Sequence, residues 1–218
     1  MAFVVALAQQ KGGAGKSTVA ANLAAALAAG GARVALLDAD PQQSLSRWHA
    51  LRAGQPAGRV ASLLFEAPSG WRIQGTLDRM RGAQDFVVLD TPPHADTDAK
   101  LAIRAADLVL MPLQPSPADL WASEATLRLA QEEKRPVAAL LNRVPAQGRL
   151  KEQVAAELAA RKVPLLGPTL GNRTGFAQAF QEGLAVTEAA PRGTAADEVR
   201  ALAEAIRRMA PAAAAPRR

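Results

Sequence analysis

Residues 10–18, Gln10-Lys11-Gly12-Gly13-Ala14-Gly15-Lys16-Ser17-Thr18, crowd two lysines, three glycines and two hydroxyls into one short stretch. Glycines at 12, 13 and 15 let backbone N–H groups turn inward around phosphate oxygens, and a helix starting near Lys16 adds its dipole. In the phosphate-loop pattern G-x-x-x-x-G-K-[ST], the lysine reaches the β- and γ-phosphates and the next hydroxyl ligates Mg²⁺. Lys16 and Ser17 occupy those places, but position 10 holds Gln where the pattern has Gly. A second lysine, Lys11, stands near the start of the loop instead. This is the chemistry expected of a nucleotide-hydrolysing switch with two loop lysines.

Three carboxylates follow apolar runs. Asp38 and Asp40 close the run Arg33 to Leu37, and Asp90 closes Phe86 to Leu89. Alternation sends Asp38 and Asp40 to one side and Ala39 to the other. One of the pair is placed to reach Mg²⁺ through water and the other to orient the attacking water. Asp90 stands where phosphate-loop enzymes carry a magnesium-associated carboxylate. A single strand-end Asp is commonly a turn residue or helix cap; three beside one phosphate loop favour the catalytic reading.

These residues need a scaffold. Strands are expected at Val4–Ala8, 33–37, 86–89, 108–113 and 137–141, with a short one near 60–65. Helices are expected at 16–29, 43–53, 71–80, 101–106, from the Pro115–Asp119 loop through 129, and at 150–161, 175–181 and 195–209. Residues 164–170 read as a short extended piece. Continuous apolar strands alternating with helices predict an α/β fold: a doubly wound, mostly parallel sheet with helices on both faces. Ligands on such sheets bind at the carboxyl ends of the strands. Residues 10–18, 38–41, 90–93 and 142–143 all fall there. One domain over 1–209 and a disordered Ala-Pro tail over 210–218 are expected.

The 218-residue chain has no cysteine, which excludes disulfides, thiol catalysis and cysteine-ligated clusters. No signal segment precedes the loop and no apolar stretch reaches membrane-spanning length, so a cytoplasmic location is expected. Residues 1–127 hold 11 Lys/Arg and 11 Asp/Glu, whereas residues 128–218 hold 15 and 9. The formal charge of +6 therefore lies in the second part, which hints at a polyanionic partner.

The motifs Lys11-Gly12-Gly13-Ala14-Gly15-Lys16-Ser17-Thr18, Leu37-Asp38-Ala39-Asp40-Pro41-Gln42 and Leu89-Asp90-Thr91-Pro92-Pro93 together resemble the ParA/MinD family of deviant phosphate-loop ATPases. Met111 to Pro117 and Leu141-Asn142-Arg143 extend the similarity over nearly the whole chain. Asp-x-Asp-Pro-Gln favours the ParA branch, and the length resembles its small members that lack an N-terminal helix-turn-helix domain. The resemblance implies ATP and Mg²⁺ as cofactors. It implies a nucleotide site of Gly12, Gly13, Ala14, Gly15, Lys16, Ser17 and Thr18, with Arg143 beside it and Asn142 contacting adenine. It makes Lys11 the signature lysine, crossing an ATP-sandwiched homodimer to the partner's phosphates, as an arginine finger does. Asp40 becomes the water-orienting residue, Asp38 and Asp90 serve the magnesium region, and Pro115 to Asp119 lies near the nucleotide and dimer face. It also implies non-specific, nucleoid-associated DNA binding through C-terminal cations, led by Arg173, with Arg161, Lys162 and Arg192 as weaker candidates. A cargo or adaptor protein would stimulate hydrolysis.

His49 and His94 lack a metal-ligand pattern; packing is the expectation for Trp48 and Trp71 and the default for Trp121, whose alternative is a dimer or partner surface. A MinD-like membrane-cycling ATPase is the alternative, requiring a C-terminal amphipathic helix. Val199, Leu202, Ile206 and Met209 read instead as a core-facing stripe, so no stable membrane anchor is expected. Absent cysteine and tyrosine argue against a nitrogenase-like reductase and a tyrosine kinase, while a biosynthetic ligase lacks a recognisable substrate site.

Overall fold

The computed structural model describes residues 1–93 and 97–211. His94 and residues 212–218, most of the expected disordered tail, lie outside the described residues.

Strands β1 (Phe3–Leu7), β2 (Val34–Asp38), β3 (Leu64–Glu66), β4 (Phe86–Asp90), β5 (Leu108–Leu113) and β6 (Val137–Leu141) form one sheet in the order β3-β2-β4-β1-β5-β6. Every pairing is parallel. The helices are α1 (Lys16–Ala29), α2 (Ser44–Ala53), α3 (Ile73–Ala83), α4 (Thr97–Ala105), α5 (Pro117–Glu132), α6 (Leu150–Ala160), α7 (Thr174–Gln181), α8 (Val186–Ala189) and α9 (Thr194–Met209). A 3-10 turn, Gly70–Arg72, leads into α3.

Strand alternation splits the core in two. Phe3, Val5 and Leu7 of β1 face α1, α2, α7, α8 and α9, while Val4 and Ala6 face α3, α4 and the end of α5. A third cluster joins Met111, Leu113, Ala139 and Leu141 to Leu120, Val154 and Leu158. Both faces of the sheet are thus covered, as a parallel sheet requires. The alanine-rich α1 is buried nearly all round, which lets it lie close against the centre of the sheet.

The expected strands are present with small shifts, and the edge strand is confined to Leu64–Glu66. The segment around 165–171 runs parallel beside β6 through two isolated bridges. Helix α8 was not expected. The stripe on α9 faces the core as expected for Val199, Leu202 and Ile206, but Met209 is exposed at the helix end. Among the described residues no helix is long and apolar enough to cross a membrane.

The connection from β1 to β2 crosses β4 in one direction and the connection from β4 to β5 crosses β1 in the other, so the strand order reverses between the neighbours β4 and β1. A crevice for ligands opens at such a point. The segment leaving β1 is the glycine-rich loop.

Candidate functional site: a phosphate cradle at the centre of the sheet

Leu7, Asp90 and Asp38 stand at one level, because Leu7 pairs with Asp90 and Asp90 with Asp38 in the strand register. The loop from Ala8 to Gly15 rises from this level into α1. Gly15, at the cap of α1, has φ 91°, and a Cβ there would meet the Asn142 side-chain nitrogen at 2.4 Å. Both demands select glycine.

The loop borders an open cavity of about 320 Å³, lined by Gly12, Gly13, Gly15, Lys16, Ser17 and Thr18. Asp40 and Arg143 face the same cavity. So do Gln42 and Pro93, which belong to the quoted motifs without an assigned role, and Ser44 and Phe180, which sequence reasoning missed because nothing local separates a site residue from a turn or packing residue there. Ala14 is fully buried behind the loop.

Lys16 is buried and its ammonium donates to the Gln9 carbonyl at 3.2 Å. Burial lowers its pKa, while Asp90 and then Asp40 pull it back up. Lys11 does not line the cavity: its ammonium donates to Asp119, the third residue of α5. The two loop lysines therefore point to different surroundings.

The structure separates the three carboxylates. Asp38 is buried with both oxygens engaged: Oδ2 accepts from the Ser46 backbone N–H and hydroxyl, each at 2.8 Å, and Oδ1 from the Asp40 N–H at 3.2 Å. It anchors the first turn of α2. Asp40 is only partly buried, faces the cavity, and accepts from the Gln42 N–H at 2.9 Å. Asp90 is fully buried, and neither oxygen accepts a well-formed hydrogen bond, although the Ser17 hydroxyl lies close by. Burial pushes its carboxyl up to about 7, and the nearby Ser17 hydroxyl and Lys16 ammonium offset this only in part.

An unpartnered buried carboxylate beside Ser17 and the phosphate loop fits a hydrated divalent cation. Magnesium is held by one or two protein oxygens and otherwise by water and phosphate, so it needs no closed cage. Among the described residues there is no cluster of three metal-ligating side chains. Asp90 and Ser17 are freer for that role than Asp38, which already accepts three hydrogen bonds.

Asn142 stands behind the loop rather than in the cavity wall. Its amide donates to the Ala14 carbonyl at 2.8 Å and its oxygen accepts from the Arg143 N–H at 2.9 Å. Arg143, at φ 51°, turns the chain back toward the cavity.

The four basic candidates do not form one cluster. Arg173 follows the bridge beyond the end of β6, on the loop edge of the sheet, and its guanidinium pairs with Glu198 at 2.7 Å. Helix α6 runs back toward the opposite edge, carrying Arg161 and Lys162 with it. Arg161 is paired with Glu124 and Glu157, whereas Lys162 and Arg192 are exposed.

The tryptophans divide. Trp48 is buried and donates to the Leu184 carbonyl at 3.2 Å, as packing predicts. Trp71 and Trp121 are 75% and 66% exposed, which corrects the packing expectation for both. Helical spacing locates a residue on a helix without saying whether that face is covered. His49 stacks on Phe65 with ring centroids 4.3 Å apart.

A parallel sheet, a phosphate cradle at its reversal point and an acidic strand end beside it define a phosphate-loop nucleotide-binding protein. The CobQ/CobB/MinD/ParA nucleotide binding domain matches residues 5–186, and the chain belongs to that family of ParA/MinD-type ATPases. It is 32% identical over 206 residues to the maintenance of carboxysome distribution protein A of Halothiobacillus neapolitanus, covering 91% of this chain and 93% of that one. It is 32% identical over 188 residues to protein ParA of Rhizobium radiobacter, covering 83% of each. Cobyrinic acid a,c-diamide synthase from Mycobacterium smegmatis, solved with a bound ATP analog and magnesium, shares the fold at TM-score 0.77 and 22% identity over 95% of both chains.

Proposed function

We propose that the chain is a magnesium-dependent ATPase of the ParA type, whose two copies close on ATP, bind DNA without sequence preference and position a cargo. One observation carries this reading: Lys16 lines the cavity and Lys11 does not. A lysine at the loop but outside its own cradle is available to a second copy's nucleotide, where it would stabilise charge on the transferring phosphoryl group.

Gly12 to Thr18 would hold the phosphates and Ser17 and Asp90 would hold magnesium, which would supply positive charge for the phosphoryl group. Asp40, open to the cavity, accepts a proton from the attacking water and orients it. Asp38 acts through α2, keeping the Asp40 segment in place. Arg143 and Phe180 border the base end. Closure of two copies excludes bulk water and makes turnover depend on pairing. An adaptor on the cargo then accelerates hydrolysis and release.

The cations after residue 127 supply the DNA contact. Arg173, on the loop edge, engages phosphate once its pairing with Glu198 loosens; Lys162 and Arg192 are already free. Phosphate contacts of this type give salt-sensitive binding without base readout.

The test is ATP turnover and mass by light scattering on three chains. Lys11→Ala should lose turnover and pair poorly, and Asp40→Ala should accumulate an ATP-bound dimer. Normal turnover by Lys11→Ala, or a monomeric Asp40→Ala chain in ATP, refutes the assignment. DNA affinity of the Asp40→Ala dimer should fall steeply with salt and fall again with Arg173→Glu.

A further inference from the structure

The Lys11 contact with Asp119 joins two segments that the nucleotide site alone does not require to touch. Asp119 is 1% exposed, and its carboxylate is fixed from several sides. Oδ1 accepts from the Gln114 N–H at 3.1 Å, and Oδ2 accepts from the Ser116 hydroxyl at 2.6 Å and from Lys11. Ser116 in turn caps α5 by accepting the Asp119 N–H at 3.2 Å. Gln114 reaches over to the Gly13 carbonyl at 3.4 Å, so the loop before α5 and the first turn of α5 each touch the phosphate loop. Burial pushes the Asp119 carboxyl up, but Lys11, Ser116 and Gln114 together hold it below the usual carboxylate range. Lys11 itself remains about one-third exposed.

We propose that Asp119 is the intrachain counter-ion of Lys11, and that pairing on ATP exchanges this carboxylate for phosphate oxygens held by a second copy. The inference rests on the ATP-dimer reading above. In the unpaired chain, the ammonium sits on its own α5 and outside its own cavity. To serve a partner's nucleotide it must give up a buried carboxylate, so Asp119 works against pairing. The exchange is reversible because Asp119 keeps the Ser116 hydroxyl and the Gln114 amide after Lys11 leaves. A buried carboxylate with no remaining donor would forbid the exchange; one with two donors only resists it. Asp119 is thus a positioning residue, acting through Lys11 on when pairing occurs.

Asp119→Asn keeps an oxygen for Gln114 and loses the charge. The ATP-dimer dissociation constant, measured by analytical ultracentrifugation in the Asp40→Ala background to prevent turnover, should drop about tenfold, on the scale of one charged hydrogen bond. The same change placed in a Lys11→Met chain should leave the constant where Lys11→Met alone sets it. A merely structural role would raise the constant, not lower it, and would act in both backgrounds. An unchanged or raised constant in Asp119→Asn overturns the proposal. Should that variant fail to fold, lysine-selective ¹⁵N spectra of the Asp40→Ala chain, with Lys11 assigned by Lys11→Met, give a second readout. The Lys11 side-chain signal should shift with ATP and not with ADP; no shift on a chain that pairs overturns the exchange. Failure of the Asp40→Ala chain to pair on ATP at all would instead refute the functional reading on which the exchange depends.

Discussion

The side-chain amide of Asn142 donates to the carbonyl of Ala14, tying the end of β6 to the back of the phosphate loop. The loop is held from behind by a residue more than a hundred positions away, packed so close to Gly15 that a methyl group there would collide.

Asn142→Ala should therefore weaken ATP binding without removing any group that lines the cavity. Calorimetry should show affinity lower by about five- to tenfold, on the scale of one buried hydrogen bond to the loop backbone. Gly15→Ala should abolish binding, since it adds both the steric clash and a positive-φ penalty.

Asp90 gives the nucleotide-free chain an unusual pH dependence. Its folded value, about 7, lies above the ordinary 3.8. Between these values the folded chain holds a proton that the unfolded chain has released, so stability falls as pH rises from about 4 to about 7 and is level above that. Three pKa units set an upper bound of about 4 kcal/mol. Denaturation of Asp90→Asn without nucleotide should show a stability gain over the parent at pH 7.5 that shrinks at pH 5. Magnesium-dependent ATP binding by the same variant should be lost.

The two aspartates after β2 should separate experimentally. Asp38→Asn disturbs the two donors from Ser46 at the start of α2, and should lower stability by about 1–2 kcal/mol in chemical denaturation. Asp40→Asn should leave denaturation within about 0.5 kcal/mol of the parent, as surface changes usually do, while stopping single-turnover hydrolysis.

Arg52 and Glu188 form a buried ion pair at 2.6 Å, with the Arg52 guanidinium also reaching the Ala61 carbonyl. Burial pushes the Glu188 carboxyl up, but Arg52 and the Ala185 and Ala61 amides bring it below its ordinary value. Glu188→Gln should cost about 3 kcal/mol at neutral pH, because the guanidinium is left buried and unpaired. The penalty should start to shrink as pH falls below about 4.5, where Glu188 of the unfolded parent takes up a proton, and vanish below the lower folded value, where the pair itself is lost.

The central strands, their order of helices and the phosphate loop were all legible from local signals: apolar runs, glycines and a helix start. Roles that depend on distant partners were not. Asp38 and Asp40 read alike until Ser46, eight residues away, claims one of them. Arg173 reads as a free cation until Glu198 pairs with it, and nothing near Asn142 in sequence signals that its amide reaches Ala14. Trp71 and Trp121 show the same limit for burial, since spacing along a helix does not reveal which face another element covers.

The position of β1 has a consequence for how the chain is made. Its two sheet neighbours are β4 and β5, so residues 3–7 have no strand to pair with until residues 86–90 exist, and remain one-sided until residues 108–113 follow. Contacts this distant in sequence form late in folding. A growing chain cut short before Phe86 carries every residue of the glycine-rich segment but neither strand that flanks β1. The pocket's lining begins at Gly12, yet it is complete only once Arg143 and Phe180 have been synthesised.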